Sequence, residues 1–251
     1  MRGKAFVIDT TLCTACRGCQ IACKQWNQLP ATKTENWGSY QNPKDLSFHT
    51  YKVVRFQEHL GPDNKPVWYF FPDQCRHCVE PPCKEAAEDN APGGIIIDGF
   101  SGAVLYTDML RKADADDVIE ACPFNIPRVQ KGTGYLAKCT MCVDRVNNGL
   151  EPACVKTCPT GAMNFGDRDE MAALAKKHLE RAKAKYPNAT VTGLEDLRVF
   201  YVLADAPAKY YEYASVDTVP GLMDRKTALR KIGRSLEDLS REWRILKKIA
   251  G

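Results

Sequence analysis

Of the residues in this 251-residue chain, its twelve cysteines have the most chemistry to offer. They fall at Cys13, Cys16, Cys19 and Cys23; at Cys75, Cys78 and Cys83; singly at Cys122; at Cys139 and Cys142; and at Cys154 and Cys158. Thiols can pair as disulfides, hold a single soft metal ion, or bind the iron corners of an iron–sulfur cluster. Disulfides fit poorly, because four thiols within eleven residues cannot each reach a distant partner without crowding. Structural zinc could use Cys139, Cys142, Cys154 and Cys158, but it leaves Cys13–Cys23 without a loop between two ligand pairs. A loop wrapped around a [4Fe–4S] cubane offers a thiolate every third residue to three iron corners, and the fourth corner is filled from elsewhere in the chain. The run Cys13-x2-Cys16-x2-Cys19-x3-Cys23 has that spacing, with Lys24 where proline is usual.

In such runs the last cysteine reaches over to the neighbouring cluster. Applied here, the rule gives one cluster to Cys13, Cys16, Cys19 and Cys158. A second goes to Cys23, Cys139, Cys142 and Cys154. The middle of the chain carries a partial repeat, Cys75-x2-Cys78-x4-Cys83 with Cys122-Pro123, which makes a third set of four. Its partner cluster would need ligands at Ala87, Lys112, Ala115 and Val118, and all four positions lack a thiol. Three clusters therefore use every cysteine. His77, between Cys75 and Cys78, reads as a neighbour of the site and not as a ligand.

These loops need elements to hold them. Ala5–Ile8, Tyr51–Phe56, Val67–Phe71 and Met163–Phe165 read as short strands bracketing the cysteine runs. Ile95–Asp98 and Ala103–Tyr106, joined by Gly99–Gly102, read as a hairpin. Cys16–Trp26 and Cys154–Cys158 read as short helices leaving the cluster loops. Asp169–Tyr186 carries Met171, Leu174, Ala175, Leu179 and Ala182 at helical spacing ahead of Pro187, and Leu197–Leu203 reads as a strand. The expected fold class is α+β: two bacterial-ferredoxin-like modules, the second inserted in the first, plus a C-terminal amphipathic helix. The first module takes residues 1–45 and 130–205, the inserted module residues 46–129, and the tail residues 206–251. In the tail, Leu229, Ile232, Leu236, Leu239, Trp243 and Leu246 make an apolar stripe suited to packing against a partner.

Composition narrows the function. With 35 basic and 31 acidic residues the net charge is +4, too balanced to argue for nucleic acid. No segment approaches the roughly 20 apolar residues of a membrane span, and Met1–Thr11 has no apolar run suited to a signal peptide. There is no Ser/His/Asp arrangement, phosphate-cradling glycine loop or zinc-protease motif, so catalysis is not expected of this chain itself.

Three stretches add a resemblance: Cys75-Arg-His-Cys78-Val-Glu-Pro-Pro-Cys83, Ala121-Cys122-Pro123-Phe124-Asn125-Ile126-Pro127-Arg128 and Lys138-Cys139-Thr-Met-Cys142-Val-Asp-Arg145. Across about residues 4–205 the chain resembles the iron–sulfur (β) subunits of molybdopterin oxidoreductases. Cys23-Lys24-Gln25-Trp26-Asn27 with Trp37-Gly38-Ser39 is similar to the β subunits of formate dehydrogenases, and the missing fourth cluster to the soluble enzymes of sulfate-reducing bacteria. The resemblance implies a non-catalytic electron-transfer subunit with three [4Fe–4S] clusters. Its expected partners are a catalytic molybdopterin or tungstopterin subunit and a multihaem cytochrome c as external carrier. Periplasmic localisation, by export with the catalytic subunit, is implied, with the cytoplasm as the alternative. Two other functions stay open on the residues: an electron-transfer subunit of another molybdopterin oxidoreductase or of a hydrogenase, and a zinc-binding interaction protein.

Overall fold

The computed structural model describes residues 2–61 and 63–216. Its strands are, in chain order, β1 (Lys4–Asp9), β2 (Val53–Leu60), β3 (Pro66–Asp73), β4 (Ile95–Ile97), β5 (Val104–Tyr106), β6 (Arg128–Val129), β7 (Leu136–Ala137), β8 (Met163–Asp167), β9 (Thr190–Thr192) and β10 (Val199–Leu203). The helices are α1 (Gly18–Trp26), α2 (Pro82–Glu88), α3 (Ala115–Glu120), α4 (Val143–Val146), α5 (Ala153–Lys156) and α6 (Arg168–Lys183). The fold is α+β.

One sheet organises both ends of the described chain, in the order β8-β1-β10-β9. Strand β1 pairs antiparallel with β8 (Phe6 opposite Phe165) and parallel with β10 (Phe6 opposite Val199). Strands β1 and β10 are nearly continuous apolar runs because both of their faces are covered. Alternation sorts their side chains. Ala5, Val7, Phe200 and Val202 pack under α6, against Ala175 and Ala182 with Met171, Leu174 and Leu179. Phe6, Ile8, Val199, Tyr201 and Leu203 face the other way, towards Cys19, Cys154, Met141 and Phe71. The helix therefore seals one face and leaves the other to the cysteine loops. Asp169 and Glu170 in the first turn of α6, and Arg181 and Lys183 in its last, suit the helix dipole.

The β2–β3 hairpin docks on that second face. Phe71 stacks on Tyr201 with ring centroids 4.3 Å apart, and the Tyr201 hydroxyl donates to the Pro72 carbonyl at 2.9 Å. At the end of β3, buried Asp73 accepts from Arg55 Nε and from Arg76 Nη1, both at 2.8 Å. The β4–β5 hairpin turns at Gly102, whose φ of +76° and closeness to the Arg198 guanidinium leave no room for a Cβ. Helices α2 and α3 pack together beside it. Ala87 and Val118, two of the positions where a fourth cluster would need ligands, lie buried there with Ile95, Val104, Leu110 and Leu136.

Several elements differ from expectation. Helix α1 begins at Gly18 and not at Cys16, because Ala15 and Arg17 adopt left-handed conformations. Strand β9, helices α2 to α4 and the short β6–β7 pair carry too few residues for a periodic signal. The ferredoxin-like pattern ends at Pro207, yet Tyr210, Tyr211 and Ala214 belong to the main core. The amphipathic helix expected from Leu229 to Leu246 lies outside the described residues.

Candidate metal centres

Each cysteine run starts with the same local device. Two residues after Cys13, Cys75 and Cys139 stand Ala15, His77 and Met141, all with left-handed backbone (φ 53°, 47° and 60°). Non-glycine residues rarely adopt this conformation, and it clusters where a loop has chemical work to do. Here it turns backbone N–H groups inward. His77 N lies 3.4 Å from Cys75 Sγ and Met141 N 3.4 Å from Cys139 Sγ, while the Ala15 amide hydrogen-bonds Cys13. Such inward amides are what anionic sulfur needs.

The twelve thiols are free; eight of them line two cavities, four in each, which leaves Cys13, Cys16, Cys19 and Cys158 as a third set. Cys23 from α1, Cys139 and Cys142 from the loop before α4, and Cys154 from α5 line one cavity of about 280 Å³. Cys75, Cys78, Cys83 and Cys122 line a second of about 340 Å³. In the third group Cys13 feels the charges of Cys19 and Cys158, and Cys19 those of Cys158 and Cys16. Cys19 and Cys23, one helical turn apart on α1, thus belong to different groups. The groups adjoin one another. Cys75 is the strongest charged influence on Cys139, and Cys19 acts on Cys154. Exposure differs along the row: the four thiols of the Cys23 group are all buried, whereas Cys16 is exposed and Cys13, Cys158, Cys78 and Cys122 are half-buried.

The surroundings fit clusters. Among the described residues no three His, Cys, Asp or Glu side chains close around one point as a single ion requires; the thiols instead ring cavities. Donors line these rings: Gln74, whose Nε2 has no partner, lines the Cys23 cavity, and Tyr106, whose hydroxyl reaches the Cys83 thiol, lines the Cys75 cavity. Cluster sulfides accept such bonds. Burial pushes the Cys13 thiol up to about 11 and those of Cys122 and Cys139 up to about 12. Thiolates at these positions therefore need a strong positive charge, which coordinated iron provides.

His77 is wholly buried, and its Nδ1 accepts from the Val104 backbone at 3.1 Å. Burial, with Lys138 and Arg198 nearby, holds its pKa well below the ordinary value, so the ring is neutral and braces β5. Two lysines escaped sequence reasoning. Lys52 is fully buried against the Cys23 cavity and Lys138 against the Cys75 cavity. Lys138 adjoins Cys139 in sequence, which is a signal of sorts; Lys52 has none.

Comparison with known proteins agrees with this chemistry. The family described as the 4Fe-4S dicluster domain matches residues 66–168, a stretch with eight of the cysteines. The formate dehydrogenase 2 subunit beta (cytochrome c-553) of Nitratidesulfovibrio vulgaris is 54% identical over 214 residues, 84% of this chain and 98% of the relative. The formate dehydrogenase subunit beta of Megalodesulfovibrio gigas is 52% identical over 84% of this chain and 98% of its own. The chain belongs to the iron–sulfur (β) subunits of formate dehydrogenases. The iron–sulfur subunit of formate dehydrogenase-O of Escherichia coli is a more distant β subunit, 39% identical over 82% of this chain and 69% of its own length. Among the described residues of the present β subunit, no helix is long and apolar enough to cross a membrane.

Proposed function

We propose that this chain is the non-catalytic electron-transfer subunit of a formate dehydrogenase, holding three [4Fe–4S] clusters between a catalytic metal–pterin subunit and an external carrier. The observation that carries the proposal is the contiguous row of three four-thiol groups, running from the Cys13 group through the buried Cys23 group to the Cys75 group. Cys13, Cys16, Cys19 and Cys158 hold the first cluster; Cys23, Cys139, Cys142 and Cys154 the second; Cys75, Cys78, Cys83 and Cys122 the third. When bound, each cluster supplies a one-electron couple.

The chain's own residues hold, insulate and connect these sites. Phe6, Met141 and Pro152 keep water from the central group, and the inward amides of Ala15, His77 and Met141 steady the sulfur charge. Residues 1–45 with 130–205 form the module of the first two clusters, supported by the pairing of β1 with β8 and β10. Residues 46–129 form the inserted module of the third.

The first module faces the catalytic subunit. Cys16 is exposed there, and the surrounding segment presents Ile21, Trp26, Trp37 and Tyr40 to solvent, apolar side chains suited to a subunit interface. The Cys75 group then serves the external carrier, a multihaem cytochrome c; the N. vulgaris relative bears a cytochrome in its name. The complex acts in the periplasm, reached by export with the catalytic subunit. Purifying the chain with its partner tests the proposal. Formate-dependent reduction of clusters in the chain is the expected result, and stoichiometric zinc in place of iron would overturn it.

A further inference from the structure

Each junction between two thiol groups contains a buried lysine. The Lys52 side chain lines the central cavity with Cys23, Cys139, Cys142 and Cys154, and its charge acts on Cys19 of the first group. Lys138 lines the Cys75 cavity, while its Nζ donates to the Cys139 carbonyl at 3.2 Å, within the central group. The other partners of these ammonium groups are Gln74 Oε1 for Lys52 and the Val104 carbonyl for Lys138. All are neutral oxygens. Lysine is rarely buried at all, and a buried ammonium held only by neutral acceptors leaves its whole charge to act on what surrounds it. Both lysines sit beside thiols destined to be anionic.

We propose that Lys52 and Lys138 are fixed positive charges that set the reduction potentials of the relay: Lys52 raises those of the first and central sites, Lys138 those of the central and third. The inference rests on the cluster reading above and adds to it a division of labour. The central site touches both lysines and is the most buried of the three groups, where a gained electron costs most. Two adjacent cations keep it from becoming the step at which the relay stalls. At an effective dielectric of about 20, a unit charge within about 12 Å moves a one-electron equilibrium by at least about tenfold, roughly 59 mV.

The test is a redox titration of the purified complex, followed by electron paramagnetic resonance, with iron counted in every sample. Lys52→Gln keeps a polar group for Gln74 and removes the charge. It should make the first and central sites about tenfold harder to reduce and leave the Cys75 site where it was. Lys138→Gln should move the central and third sites and spare the first, and Lys52→Arg and Lys138→Arg should restore the original values. Full iron with unmoved potentials in the two glutamine variants, or equal movement of all three sites in each, would overturn the inference while leaving the cluster reading intact. Wild-type complex without clusters would instead sink that reading, and this one with it. Should Lys52→Gln fail to assemble, the pattern in Lys138→Gln decides alone.

Discussion

At the scale of single residues, the cysteine assignment is open to direct attack. Cys158 sits far along the chain from Cys13, Cys16 and Cys19 but acts on Cys13 and Cys19 electrostatically. Cys158→Ala should therefore convert the first cluster to a three-iron form and leave the signal of the Cys139 site unchanged. Conversion of the Cys139 site instead would reverse the assignment. The pH dependence follows from the raised thiols. A group whose pKa is lifted to about 11, as at Cys13, or about 12, as at Cys122, holds its proton more tightly than an ordinary thiol. Iron must displace that proton, so acid favours metal loss. Iron release should rise as pH is lowered from neutrality, measured with a colorimetric chelator.

The elements show how far a sequence can be read. Strand β1, strand β10 and helix α6 were legible because each has a periodic or continuous apolar signature, and the hairpin of β4 and β5 because Gly99–Gly102 announces a turn. The proposed grouping of thiols rests on spacing together with the cross-over rule, since a cubane dictates where ligands must stand. Charge placement was not legible. Lys52 and Arg76 look like surface residues in the sequence, and only the docking of β2–β3 on the sheet buries them. Nor did spacing reveal that Ala87 and Val118 turn inward into an apolar contact between α2 and α3. The Asp73 cluster is the most exacting of the unforeseen features. It holds Arg55 and Arg76 inside the protein, directly before the Cys75 loop. Asp73→Ala would strand the buried Arg76 guanidinium and leave Arg55 only Asp45 as a carboxylate partner, and should cost about 3–5 kcal/mol, read from chemical denaturation. Asp73→Asn, which keeps the shape and part of the hydrogen bonding, should cost less.

For the molecule as a whole, the decisive count is metal. Three clusters imply roughly twelve iron and twelve acid-labile sulfide per chain, and elemental analysis with a sulfide assay checks both. Loss of two of the three from a single ligand change would point to a shared structural dependence, since cluster binding and folding are coupled. Orientation is the second whole-molecule property. Crosslinks from the catalytic subunit should fall near Cys16, Ile21 and Tyr40, and those from the carrier near Cys78 and Cys122. The opposite pattern would reverse the polarity of the row.

The sheet order has a consequence for how such a protein is made. Strand β1 leaves the ribosome well before both of its neighbours, β8 and β10, which come from the far end of the described chain. At about 5–20 residues per second, roughly ten to forty seconds pass between them. Throughout that interval Cys13, Cys16, Cys19 and Cys23 have no sheet to hold their loop and none of their distant companions to share a metal with. Translation thus creates a window in which four early thiols stand open to oxidants and stray metal ions, and any cluster insertion at this end waits until β8 and β10 have been made.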